Sequence, residues 1–351
     1  MTRTRCAAST PKEVSDMKVG LIGAGRQGRR RAEAMKGFSE SELVLIADVD
    51  LEAARLLAKE VGCESTTNWK DLAERNDLEA VIVTSPNHLH APMSIAALRS
   101  GKHVLCEKPL ARNPEEAKQI VDAAIKNNVK LKCGFTLRHH QGIRQAREWF
   151  DKGSVGELIF LRCRYGMCGR PGYDEEWRAK IELSGGGELI DQGIHVLDLF
   201  RWFAGDFTQA VAFTSTAFWE IAPIEDNAFA LLRTRKGQVA SLHVSWTQWK
   251  NLFSFEIFGK DGYITVEGLG GSYGLEKSTF GKRSFKEPFR EDTIEFRGED
   301  TSWREEWKEF VTAIKENREA LGSGLDGLES QKLAYHLYES ARNNCVVSLS
   351  T

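Results

Sequence analysis

Lys18–Asp50 reads KVGLIGAGRQGRRRAEAMKGFSESELVLIADVD, and the order of its parts decides the fold. Lys18–Ile22 is a short apolar strand. Gly23-Ala24-Gly25-Arg26-Gln27-Gly28 fits G-x-G-x-x-G and opens a helical pattern, and Leu43–Ala47 is a second apolar strand. Asp48 follows, about 20 residues past Gly28. Gly23 permits the tight turn, Gly25 lets backbone approach a pyrophosphate, and Gly28 lets helix pack closely on strand. The helix N-terminus, with Arg26 and Gln27 in its turn, offers unpaired N–H groups and a partial positive charge to phosphates. Asp48 can accept hydrogen bonds from ribose hydroxyls and would repel a 2′-phosphate, which predicts NAD in preference to NADP. Arg26 is the residue that opposes this preference, since it can attract that phosphate. A glycine turn alone says little, but strand, turn, helix, strand and acid together predict a dinucleotide site.

Outward from this stretch, strand and helix patterns alternate to about residue 134. Strands are predicted at Lys18–Ile22, Leu43–Ala47, Ala80–Thr84, His103–Cys106 and Lys130–Gly134. Helices are predicted near Gln27–Lys36, Leu51–Val61, His88–Arg99 and Pro114–Asn127. That alternation means a parallel sheet with helices on both faces. A helix over Ile143–Asp151 then leads into successive strands, Glu157–Tyr165, Gln209–Trp219, Ala228–Arg233, Val239–Trp246, Phe253–Phe258 and Tyr263–Val266. Strands without intervening helices predict an antiparallel sheet, closed by helices at 301–316 and 327–343. The expected fold is therefore an α/β Rossmann domain at 18–134, followed at 135–351 by an α+β domain with a largely antiparallel open sheet. Residues 1–17 read as an extension, and Ser272–Gly298 as a loop or loosely ordered hairpin.

The 351 residues suffice for about two domains. Net charge is −2, which gives no reason to expect a nucleic-acid partner. No apolar run approaches the roughly 18 residues of a membrane span. Met1–Asp16 is basic at its start but lacks the apolar centre of a signal peptide. Seven irregularly spaced cysteines read as reduced thiols, and a cytoplasmic protein is expected.

In an open parallel sheet ligands sit at the carboxyl ends of the strands. Thr84-Ser85-Pro86-Asn87-His88-Leu89-His90 falls at one such end, making Ser85, Asn87 and His90 cofactor candidates. Glu107-Lys108-Pro109 falls at the next, directly after an apolar strand. Lys108 could donate to a substrate oxygen there, or could simply pair with Glu107. Gly185–Asp198, GGGELIDQGIHVLD, is a glycine run opening a helix. Asp191 and His195 share a face of that helix, where a carboxylate can fix an imidazole and suit it to general base work. His88-x-His90 lacks a third ligand at useful spacing, so no metal is expected. His139 and His140 read as surface residues. Arg162, Arg164, Arg170 and Arg178 crowd one strand and the loop after it; as a set they would suit an anionic substrate, or form a solvated face.

Three segments together resemble the Gfo/Idh/MocA oxidoreductase family: the GAGRQG turn, Glu107-Lys108-Pro109, and Gly185–Asp198. Phe253–Gly268, FEIFGKDGYITVEG, is similar to the family's strand–turn–strand in its second domain. By that resemblance Lys108, Asp191 and His195 match a catalytic lysine, aspartate and histidine, and Arg138 matches a position near the substrate. The resemblance implies an NAD-dependent dehydrogenase acting on a secondary alcohol of a sugar, and the Gly169–Arg178 segment is similar to that of members acting on nucleotide-sugars, with Arg138, Arg164 and Arg178 as the expected substrate contacts. Alternatives are a cyclitol dehydrogenase, a glycosidase that uses NAD transiently, and a non-catalytic dinucleotide-binding regulator. A homodimer or homotetramer is expected.

Overall fold

Met17–Ile22 (β1) is apolar and almost wholly buried, as a central strand of a parallel sheet must be. The computed structural model describes residues 17–288 and 290–349, so the expected N-terminal extension, Met17 apart, lies outside the described residues. After β1 come Arg26–Met35 (α1), Ser41–Ala47 (β2), Leu51–Val61 (α2), Glu64–Thr66 (β3), Lys70–Glu74 (α3) and Ala80–Val83 (β4). Asn87–Arg99 (α4), His103–Cys106 (β5), Pro114–Asn127 (α5) and Leu131–Cys133 (β6) complete the first sheet. Its six strands are parallel, in the order β3-β2-β1-β4-β5-β6. The order reverses between β1 and β4, which opens a crevice at their carboxyl ends. Local signals set the helix ends: the Asp50 side chain accepts from the Glu52 and Ala53 N–H groups, and Gly62 closes α2 at φ 86°. β3 and α3 have no counterpart in the sequence pattern, because elements this short carry no readable period.

A 3₁₀ turn at Thr136–His139 leads into Gln141–Asp151 (α6) and Leu158–Cys168 (β7). Ile181–Ser184 (α7) precedes a π-helical turn, Leu189–Gly193, that runs straight into Ile194–Ala204 (α8). Phe207–Ser215 (β8), Asn227–Thr234 (β9), Val239–Ser245 (β10), Thr247–Gly259 (β11) and Gly262–Glu267 (β12) follow. Glu276–Lys282 (β13), Glu291–Phe296 (β14), Ser302–Lys315 (α9), Gly324–Asn343 (α10) and Val347–Ser348 (β15) end the described chain. These nine strands form one sheet, antiparallel except where β7 runs parallel to β10. The stretch expected to be loop or loose hairpin holds the paired strands β13 and β14. β14 is polar because it is the exposed edge of the sheet.

Helices α6, α8 and α10 pack on one face of the second sheet. Trp246, Phe253 and Phe255 are buried in the core. The opposite face leaves Phe213, Phe229 and Leu231 in solvent, with Phe213 directly across from Phe229. α9 returns to the first sheet, where Trp307, Phe310 and Val311 share a core with Val19, Leu21 and Ile46. Among the described residues no helix is long and apolar enough to cross a membrane, and no cluster of His, Cys, Asp or Glu could hold a metal ion.

Candidate active site

A cavity of about 1160 Å³ lies between the carboxyl ends of the first sheet and the inner wall of the second domain. The glycine turn forms one end. Gly23 has φ +102°, and a Cβ there would meet Thr84 Oγ1 at 2.6 Å. A Cβ on Gly28 would collide with the Gly23 carbonyl oxygen. At Gly25, by contrast, a Cβ would meet nothing within 4 Å, because that position faces the cavity. No side chain caps the N-terminus of α1, so its first N–H groups are left for a ligand. Asp48 is oriented by backbone: Oδ2 accepts from Ala24 N–H at 2.6 Å and Oδ1 from Asp50 N–H at 2.9 Å. An uncapped helix start, an open glycine cradle and a fixed acid suit a dinucleotide.

Most of the residues singled out in the sequence as cofactor contacts line this cavity: Gly23, Gly25, Arg26, Gln27, Asp48, Ser85, Asn87, His90, Glu107 and Lys108. Several have their polar atoms engaged elsewhere. Asn87 Nδ2 donates to the Ser184 carbonyl at 2.8 Å, tying the start of α4 to the second domain. Both ring nitrogens of His90 lie 2.8 Å from carbonyls, of Ser85 and of Pro109. Glu107 pairs not with Lys108 but with the buried Arg31, which also holds Glu306 of α9 at 2.6 Å. Arg26 stands at the cavity wall, its pKa lowered by burial and by Arg178, Arg30 and Arg170.

Lys108 crosses the cavity instead. Its Nζ donates to the Asp191 carbonyl oxygen at 2.7 Å and to Asp191 Oδ1 at 2.6 Å. An ammonium has three donors, so one N–H remains for a ligand. Burial opposes the charge on Asp191, but Lys108 and Arg178 outweigh it and hold the carboxyl at about 2. His195 lies on the same wall, its ring edge against Phe135 at 6.0 Å between centroids. Burial, then the positive charge of Lys108, keeps its pKa well below the ordinary histidine value. The imidazole is therefore neutral at physiological pH. Its Nδ1 is buried with no partner among the described residues, and the ring lines the cavity, where Nε2 can meet a ligand. Near Asp191 in the chain, Glu188 is fully buried. Burial and then Asp191 push its pKa well above the carboxylate range.

The structure departs from the sequence reading in four places. The Asp191 side chain bonds Lys108 rather than His195, because the turn at 189–193 is π-helical and the ordinary four-residue spacing does not apply. Arg138 does not reach the cavity; it is buried in a two-bond pair with Asp198 at 2.6 and 2.7 Å and also reaches Asp326. Arg164 sits on β7 facing outward, away from the cavity wall. His139 and His140 are buried, His140 against Glu276 at 3.2 Å. Of the arginine set, Arg170 and Arg178 do line the cavity. Arg170 is held by Glu176 at 2.6 and 2.7 Å, and Arg178 lies between Glu176 at 3.6 Å and Asp191 at 3.9 Å.

Sequence reasoning missed the aromatic wall: Tyr165, Tyr173, Trp177, Tyr273 and Trp303 all face the cavity. Tyr173 and Trp177 lie within the Gly169–Arg178 segment, where an aromatic at each end of an acidic run was the available signal. Trp303 had none, since it arrives from α9, far away in the chain.

Two family profiles match the chain. One, described as "Oxidoreductase family, NAD-binding Rossmann fold", covers residues 17–135. The other, "GFO/IDH/MocA C-terminal domain", covers residues 143–265. Levoglucosan dehydrogenase of Pseudarthrobacter phenanthrenivorans is 29% identical over 286 residues, 72% of this chain and 73% of that protein. A dTDP-3,4-didehydro-2,6-dideoxy-alpha-D-glucose 3-reductase of Saccharopolyspora spinosa is 29% identical over 253 residues, 72% of this chain and 74% of that protein. The solved structure of levoglucosan dehydrogenase in complex with NADH and levoglucosan superposes with a TM-score of 0.87 at 25% identity, covering 96% of this chain and 100% of the other.

Proposed function

The chain belongs to the Gfo/Idh/MocA family of NAD-binding oxidoreductases, and from that premise we propose a dehydrogenase that oxidises a secondary alcohol of a neutral sugar, with NAD preferred over NADP. One observation carries the reading: Lys108 is held across the cavity by two hydrogen bonds that it donates to Asp191, with one donor left over beside a neutral His195. A reacting hydroxyl placed between them would receive a hydrogen bond from Lys108 Nζ and give its proton to His195 Nε2. Lys108 then steadies the negative charge developing on that oxygen. Asp191, ionised, holds Lys108 in place, and its charge favours the imidazolium that forms. A dinucleotide held by the glycine turn and Asp48 would supply the hydride acceptor for this chemistry.

The neutral sugar is favoured over the nucleotide-sugar for an electrostatic reason. Arg170 and Arg178, the cavity's arginines on the substrate side, are matched by Glu176 and Asp191. The wall beside them is aromatic, which suits the apolar face of a pyranose better than a diphosphate. Incubation with NAD and levoglucosan, methyl glucoside, myo-inositol, UDP-glucose or dTDP-glucose, read by absorbance of the reduced nicotinamide, tests the reading. Turnover of a neutral sugar is expected; turnover of nucleotide-sugars alone would overturn the neutral assignment, and sugar release without reduced cofactor would favour the glycosidase.

The exposed Phe213, Phe229 and Leu231 lead us to infer self-association through the open face of the second sheet. Light scattering at micromolar concentration should give a dimer or tetramer, and a monomeric mass would exclude it.

A further inference from the structure

Gln192 has no part in the chemistry above, yet it stands between its two key residues. It follows Asp191 in the chain and precedes His195 by one turn. Its side chain lies on the cavity wall and is nearly buried, with 6% of the residue exposed. Nε2 donates to the Tyr273 hydroxyl at 2.9 Å. Oε1 is buried and has no partner among the described residues. Tyr273 is itself on the cavity wall and is steadied by Tyr165, ring centroids 5.6 Å apart. The amide is thus pinned at one end and left with an unused acceptor at the other. Buried acceptors are almost always satisfied in folded proteins, so an orphan on the wall of a ligand cavity points to a donor that arrives with the ligand. A second orphan lies on the same cavity wall: the Tyr173 hydroxyl is buried without a partner among the described residues.

We propose that Gln192, pinned by Tyr273, reads a second hydroxyl of the sugar, the one on the carbon next to the carbon being oxidised, by accepting its hydrogen bond at Oε1. The proposal rests on the sugar-dehydrogenase reading and narrows it. The substrate must present two adjacent free hydroxyls, one to Lys108 and His195 and one to Gln192. A deoxy or O-methyl sugar at the second position would leave a buried acceptor unpaired, which a hydrogen-bonding site penalises far more than a hydrophobic one penalises a missing methylene. The Oε1 and Nε2 positions could exchange by rotation of the amide, but Tyr273 can donate as well as accept, so one end remains pinned and the other unpaired in either case.

The test is a cycle between substrate and protein. Binding of levoglucosan, methyl glucoside and myo-inositol to the protein–NADH complex is measured by calorimetry, and turnover with NAD in parallel. For the tightest binder, monodeoxy analogues are compared on the parent protein and on Gln192→Met, which keeps the length and removes the polar end. Thermal melting and NADH affinity establish that the variant is folded. On the parent, one deoxy position should weaken binding by on the order of 10–100-fold, and on Gln192→Met that penalty should shrink to near unity. Tyr273→Phe, which frees the amide, should reduce the same penalty part-way. An unchanged deoxy penalty in Gln192→Met, or no binding of any of the three sugars to the NADH complex, would overturn the proposal. If the coupling is present in binding but no sugar reduces NAD, the dehydrogenase reading fails and the hydroxyl-reading site stands.

Discussion

The two walls of the cavity hold their polar groups by different means. On the cofactor side the fixing is done by backbone: glycine torsions, the start of α1, and two N–H groups that orient Asp48. On the chemistry side it is done by side-chain charge brought from distant segments, with Lys108 reaching Asp191 across the domain boundary. The difference teaches what each wall should tolerate. The first should fail when bulk is added, and the second when charge is altered.

The largest effect is expected on the charged wall. Lys108→Ala and His195→Ala should each lose about 10²–10⁴ in kcat, the usual range for positioned acid–base groups, while both still bind NADH. In the parent, the limb of kcat/KM for alcohol oxidation that reports protonation of His195 should lie below pH 6.5, because burial and Lys108 lower its pKa. Near-native turnover and an unchanged pH profile in His195→Ala would remove it as the base and leave Lys108 as the candidate.

On the backbone wall the corresponding change is Gly28→Ala. The added methyl would collide with the Gly23 carbonyl oxygen and lie 3.1 Å from Thr84 Oγ1. α1 must then move off β1, carrying its N-terminus out of line. A misplacement of about 1 Å can cost 10²-fold, so NADH affinity should fall by roughly that factor, with about 1–3 kcal/mol of stability lost to overpacking. Calorimetry and thermal melting check both, and a variant that binds NADH as tightly as the parent would break the steric account.

The same contrast explains what the sequence revealed. The cofactor wall was legible because its determinants are contiguous: turn, helix and acid lie within Lys18–Asp50 and follow from local geometry. The chemistry wall was legible in membership and not in wiring. Lys108, Asp191 and His195 were each identifiable, but the partner of Asp191 depends on a π-helical turn that no periodicity announces. Arg138 looked available because its ion pair with Asp198, 60 residues on, leaves no trace in spacing. Trp303 and Tyr273 reach the cavity only through tertiary packing.

Glu188 sharpens the comparison from the charged side. Its pKa is raised in the fold, so above the ordinary glutamate value of about 4.3 the unfolded chain releases a proton that the folded chain keeps. Stability contributed by this site is therefore lost as pH rises, until the folded pKa is reached. Glu188→Gln has no proton to release. Its stability relative to the parent should grow with pH above that value by about 1.4 kcal/mol per unit. Denaturant unfolding of both proteins from pH 5 to 8 measures it, and a pH-independent difference would mean that Glu188 is ionised in the folded protein.

Asp48→Asn asks whether the backbone wall also carries a charge-dependent function. The substitution keeps the shape of the side chain and removes the charge that would repel a 2′-phosphate. It also turns one acceptor into an amide NH₂, which must face either the Ala24 or the Asp50 N–H that the carboxylate now satisfies at 2.6 and 2.9 Å. Two effects follow, and they separate by cofactor. The lost turn bond weakens NADH and NADPH alike, by about 10-fold for a bond of roughly 1.4 kcal/mol. The lost repulsion helps NADPH alone, so the preference for NADH should narrow by a similar factor. Arg26 on the same wall supplies the attraction that remains for the phosphate. Fluorescence titration of each cofactor reads both numbers. If affinities for the two fall together and their ratio stays fixed, Asp48 serves only to hold the turn, and the choice of cofactor must be sought at Arg26.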